Sequence, residues 1–175
     1  MSILRLLGLE RKSQDSAPGD ADAVRAIARR LEALPPERAR YLAAFAYILG
    51  RAAHCDLETS AAETRAMEAI VQRHGGLPED QAALVVEIAK SQNRLFGGTE
   101  NFLVTREFRA VATDAERREL LDCCFAVTAA DDSISAAEDH HVRRIADELG
   151  FSLAEFVAAR QAWSGKRQVL RDLRS

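Results

Sequence analysis

Carboxylates and hydroxyls gather twice in this chain of 175 residues, at Asp56-Leu-Glu-Thr-Ser-Ala-Ala-Glu63 and at Asp131-Asp-Ser-Ile-Ser-Ala-Ala-Glu138. Such hard oxygen donors suit calcium or magnesium rather than a thiophilic metal. Asp131, Asp132, Glu138 and Asp139 stand close together with no basic residue among them. Asp56, Asp131 and Asp132 also follow the ends of expected helices, where each negative charge opposes the helix dipole by roughly 0.3–1 kcal/mol. Hydration, a partner's cation or a bound metal must relieve that repulsion. The candidate metal ligands are therefore Asp56, Glu58, Glu63, Asp131, Asp132 and Glu138. The standard calcium loop does not fit, because the places for its glycine and closing glutamate, counted from Asp131, hold Ala136 and Val142. One turn alone falls short of a calcium shell, whereas two turns side by side would supply more of it.

The same residues have a purely structural use. Ser60 with Glu63, and Ser135 with Glu138, fit the capping box, in which the serine hydroxyl takes a backbone N–H and the glutamate reaches back to the serine N–H. The other reactive residue types point to structure. Cys55, Cys123 and Cys124 stand in apolar helical surroundings without Cys-x-x-Cys spacing, and read as buried thiols. His140 and His141 are adjacent, so on a helix they diverge by about 100° and read as exposed histidines rather than ligands of one ion. His54 and His74 close helices, where a cationic side chain suits the dipole. Gly75-Gly76 and Gly97-Gly98 lack the context of a phosphate loop and read as helix stops. No acid, base and nucleophile set comes together in the sequence, so no enzymatic activity is expected.

Helices must position the two turns. Val24, Ile27, Leu31 and Leu34 recur at helical spacing from about Asp20 until Pro35-Pro36. A second helix, about Glu37 to Cys55, places Tyr41, Phe45, Ile48, Leu49 and Ala52 on one face. A third starts near Ser60, buries Met67, Ile70 and Val71, and stops at Gly75-Gly76. With Pro78 in its first turn, a fourth carries Leu84, Val85, Ile88 and Leu95 toward Gly97-Gly98. Val104, Phe108 and Val111 line the next, and further helices run from about Asp114 to Ala130, Ser135 to Leu149 and Ser152 to Trp163. Lys166 to Ser175 form a basic helical end. No two-residue alternation is sustained, so the expected class is all-α.

The composition, 47% hydrophobic and 29% charged, is that of an ordinary globular domain. Twenty-four basic and 27 acidic residues leave a net charge of −3 without a basic block, which argues against a nucleic-acid partner. No apolar run has the roughly 18 residues that cross a bilayer, and no secretory signal opens the chain, so a cytoplasmic location is expected. Residues 1–12 mix Ile3, Leu4, Leu6, Leu7 and Leu9 with Arg5, Arg11 and Lys12. They either touch a membrane surface or a partner's groove, or pack back on the bundle. The organisation expected is a short apolar segment and linker over 1–19, followed by one helical domain over 20–175.

That domain is internally repeated. Asp56 and Asp131, like Glu63 and Glu138, lie 75 positions apart, and the same offset pairs Phe45 with Leu120, Met67 with Val142 and Gly75 with Gly150. Two helix, turn, helix units, at about 37–76 and 114–150, give a duplicated bundle of about seven to nine helices rather than a solenoid. The run Phe125 to Asp139, followed by Ile145-Ala-Asp-Glu-Leu-Gly-Phe-Ser152, resembles the TerB-like family over about Glu37 to Arg160. Members of that family include tellurite-resistance proteins and a domain of a membrane-anchored co-chaperone. The resemblance implies an all-helical duplicated fold, acidic residues that bind a metal, and a role in membrane-associated stress response through protein partners. It places the motif aspartates at Asp56 and Asp131 and the motif glutamates at Glu63 and Glu138. Where the family carries glycine, this chain has Leu57 and Asp132. Asp enters a left-handed turn more readily than Leu, which favours the second copy as the site.

Overall fold

The computed structural model describes residues 18–53, 59–91, 101–130 and 134–163. Among them are eight helices: α1 (Pro18–Glu32), α2 (Pro36–Ala53), α3 (Ala61–Gly75), α4 (Glu79–Lys90), α5 (Asn101–Val111), α6 (Asp114–Thr128), α7 (Ala136–Glu148) and α8 (Leu153–Gln161). The all-α class is as expected. None of the described helices is long and apolar enough to cross a membrane. The segment 1–12, Leu95, Gly97-Gly98 and the basic end at 166–175 lie outside the described residues.

Helix α2 is the axis of the bundle. The apolar spacing predicts one inward face, yet Leu42, Ala43, Ala44, Ala46, Tyr47, Gly50 and Arg51 are buried as well. Its many alanines and its glycine let neighbours approach from every side, and α4, α5 and α6 all pack against it. Phe45 sits at the centre, with ring centroids 5.9 Å from Tyr41 and 6.3 Å from Phe108. The α6 side chains Leu120, Leu121, Cys123, Cys124 and Phe125 close the core from the other copy.

The two units are crossed. The first turn joins α2 to α3 and the second joins α6 to α7, but α3 packs on α6, and α7 packs on α2 as well as on α6. Gly75 marks how closely α3 approaches. A Cβ there would lie 3.1 Å from Phe45 Cζ and 3.3 Å from Cys123 Sγ.

Several boundaries differ from the expectation. Helix α1 starts at Pro18, two residues early, since proline's fixed φ suits a first helical position. Pro78 is the N-cap of α4 rather than part of its first turn, and α4 ends at Lys90 with Ser91 as its cap. Gly76, at φ 62°, ends α3. At the end of α7, Gly150 takes φ 86°, its N–H reaching Asp147 O and the Phe151 N–H reaching Ala146 O, a Schellman ending.

Candidate functional site

Of the six candidate ligands, Asp56, Glu58, Asp131 and Asp132 lie outside the described residues. Glu63 and Glu138 are described, and both are engaged in capping boxes. The Ser60 N–H donates to Glu63 Oε2 at 2.8 Å, and the Glu63 N–H to Ser60 Oγ at 3.2 Å. The second copy repeats this between Ser135 and Glu138 with the same two distances. The hydrogen bonds from Ser60 hold the Glu63 carboxyl below the usual carboxylate range. Each box engages Oε2, and a carboxylate has two oxygens with about four acceptor sites in all. Capping and ligation are therefore chemically compatible. Two further boxes, Thr113 with Glu116 and Ser152 with Glu155, escaped the sequence reading, although their Thr/Ser-x-x-Glu spacing announces them. Among the described residues, no three His, Cys, Asp or Glu side chains are grouped to hold a metal.

The second turn is better balanced than its sequence suggests. Asp139 Oδ2 accepts from Arg160 Nη1 of α8 at 3.2 Å, so one of the four clustered carboxylates has an intramolecular cation. Arg160 and Arg143 also approach the Phe156 ring, at 5.3 and 5.2 Å from its centroid. This fixes α8 beside α7.

The polar centre that sequence reasoning missed lies between the two units. Arg51, in the last turn of α2, has a side chain only 7% exposed. Its Nη1 and Nη2 donate to Glu148 Oε2 and Oε1 at 2.7 and 3.2 Å. Thr105 Oγ1 of α5 donates to the same Glu148 Oε2 at 3.0 Å. Burial alone would raise the Glu148 carboxyl, but the hydrogen bonds and charge of Arg51, with Thr105, reverse it and leave it below its ordinary value. On the same residue, the Arg51 carbonyl lies 3.1 Å from His141 Nε2. Here His141 departs from the expectation of an exposed histidine: α7 packs on α2, so its ring is half-buried against the end of that helix, while His140 stays exposed. A lone arginine among Ile48, Leu49, Gly50, Ala52 and Ala53 was the available signal for this centre.

Arg51 stands two residues before the end of α2 at Ala53, and His141 five residues after the start of α7 at Ala136, so the contact joins the helix before the first acidic segment to the helix after the second.

The remaining reactive groups serve packing. Cys123 and Cys124 are buried. Burial pushes the Cys124 thiol up to about 12 and raises Cys123 as well, so neither is a ready nucleophile. Cys55 and His54 lie outside the described residues. His74 meets the Trp163 ring edge-on at 5.6 Å in the last turn of α3.

No curated protein and no solved structure matches the chain. A family model, tellurite resistance protein TerB, matches residues 41–161, a span that holds both acidic segments and the Arg51 centre. With most of its length matched and an all-helical fold, the chain belongs to the TerB family.

Proposed function

We propose that this tellurite-resistance-type helical module is non-enzymatic and acts through contacts with a protein partner, with calcium or magnesium held at its acidic turns. The observation that carries the reading is the Arg51 carbonyl against His141 Nε2 at 3.1 Å, a contact between the helix before the first acidic segment and the helix after the second. Asp56, Glu58 and Glu63 from one turn with Asp131, Asp132 and Glu138 from the other offer the oxygens a hard cation needs, which neither turn offers alone. The raised, buried thiols of Cys123 and Cys124 favour a binding role over a catalytic one. A membrane-associated stress process, reached through the apolar residues 1–12, is the setting proposed for the partner.

Titration with calcium or magnesium, followed by amide NMR and calorimetry, tests the cation. Shifts centred on Asp131, Asp132 and Glu138 are expected, lost in Asp131→Asn. Unmoved amides at millimolar ion would overturn it.

A second reading is an adaptor without a metal site, its repeated turns serving only to cap helices. The boxes at Thr113 and Ser152, formed with the same geometry away from the acidic turns, favour it. It expects Asp131→Asn to leave partner binding unchanged while Ser135→Ala lowers Tm.

A further inference from the structure

We infer that His74 and Trp163 form a proton-operated clasp, which ties the end of α8 to the end of α3 more firmly when the imidazole is charged.

The anchors of α8 are ordered along its length. The Ser152 box fixes its start, the Phe156 ring lies 5.6 Å from that of Phe125 on α6, and Arg160 pairs with Asp139 on α7. These anchors all belong to the second unit. Trp163, just past the helix, crosses to the first unit, where it is half-buried against the core and meets His74 in the last turn of α3.

The surroundings of His74 favour a cation. The indole, with its centroid 5.6 Å from that of the imidazole, is the ring that attracts a cation best. The last turn of α3 carries the negative end of the helix dipole. From α6, Asp122 is a half-buried carboxylate; burial raises its pKa, while the charges of Arg118 and His74 draw it down. Glu119 of the same helix also approaches the end of α3, at Gly76. Against these stand Arg118, whose Nε lies 3.7 Å from Asp122 Oδ1, and Arg73, exposed on α3 itself. From α4, Glu79 and Asp80 are exposed at its start, and Lys90 bonds Thr64 at the opposite end of α3. Arg160 of α8 is taken by Asp139.

Seating Trp163 on His74 therefore favours the protonated ring, and by linkage protonation favours the seating. The clasp is firm below the range in which histidine changes charge, about pH 5–8, and loosens as pH rises through it.

Trp163 is the one tryptophan in the chain, so its emission reports this contact alone. The test follows emission and native-state amide exchange of the full chain from pH 5 to 8. In the wild type, emission should change through that range. Exchange at 159–163, corrected for its intrinsic pH dependence, should be about two- to fivefold slower at the acid end, the equivalent of one charge at a helix terminus. Both responses should vanish in His74→Gln, persist in His140→Gln, an exposed histidine of α7, and move to lower pH in Asp122→Asn. An emission change that survives His74→Gln and disappears in Asp122→Asn belongs to the carboxyl and overturns the clasp. So does emission that titrates through His74 while exchange stays constant, because the contact is then a bystander. A wild type flat in both overturns it too. If His74→Gln loses its cooperative unfolding, Trp163→Leu carries the exchange test: protection at 159–163 should then be equal at both ends of the range, and a persisting difference overturns the clasp.

Discussion

Gly75→Ala measures how tightly the crossed arrangement is built. Gly75 is the last residue of α3, and alanine gains up to about 1 kcal/mol over glycine within a helix, less at its end. The new methyl would stand 3.1 Å from Phe45 Cζ and 3.3 Å from Cys123 Sγ, both on fully buried side chains wedged among α2, α3 and α6. Neither neighbour is the loose end of a flexible chain, so the overpacking cost of about 1–3 kcal/mol applies. The expected net is a loss of about 1–2 kcal/mol, or some 2–8 °C in Tm for a chain of this size. Guanidinium unfolding with a thermal scan measures it. Adding Cys123→Ala should recover about 1 kcal/mol of the loss, a coupling expected of residues in contact. Gly76→Ala separates sterics from backbone strain: at φ 62° it should cost about 1–2 kcal/mol with no recovery from Cys123→Ala. A Gly75→Ala protein as stable as the wild type would refute the close seating of α3 on Phe45 and Cys123.

Acidification should weaken the protein through Glu148. Its folded pKa is lowered, so its contribution is present above the ordinary value of 4.5 and lost as pH falls through the folded value; Glu148→Gln should flatten Tm against pH in that range. The exposed cap Glu63 shifts in the same direction, so its cap should also loosen on acidification. Ser152→Ala should lower stability by about 1 kcal/mol by removing one capping hydrogen bond of α8, as followed in chemical unfolding. Cys123 and Cys124 should resist iodoacetamide at neutral pH in the folded protein and react on denaturation, as read by peptide mass mapping; rapid native labelling of either would contradict their burial.

The helical spacing in the sequence located the elements well because period and stops reinforce each other. Ile27, Leu31, Phe45, Val71, Val85, Phe108 and Val142 are buried as their spacing predicts. It understated α2, since amphipathic logic assigns an outer face, and only the packing of α4, α5 and α6 shows that none exists from Tyr41 to Ala52. The caps at Ser60 and Ser135 were legible because a capping box is local. The Arg51 centre was not, because its partners lie 54, 90 and 97 positions along the chain, at Thr105, His141 and Glu148. Asp139 shows the same limit: its cation, Arg160, arrives from another helix.

Positions paired by the 75-residue offset serve different ends in the structure. Gly75 and Gly150 share one repeat position, yet the first is required by a close approach and the second by a positive φ. Thr64 and Asp139 share another. Lys90 Nζ donates to Thr64 Oγ1 at 3.1 Å, and Arg160 pairs with Asp139 at 3.2 Å. In each unit a cation from a neighbouring helix therefore meets the first turn of the helix that follows the acidic segment. Among the described carboxylates of the two segments, Asp139 is paired with Arg160, and Glu63 and Glu138 each give an oxygen to a cap. A capping N–H occupies an acceptor site on Glu63 or Glu138 without removing its charge, so each keeps a second oxygen and its negative charge for another partner.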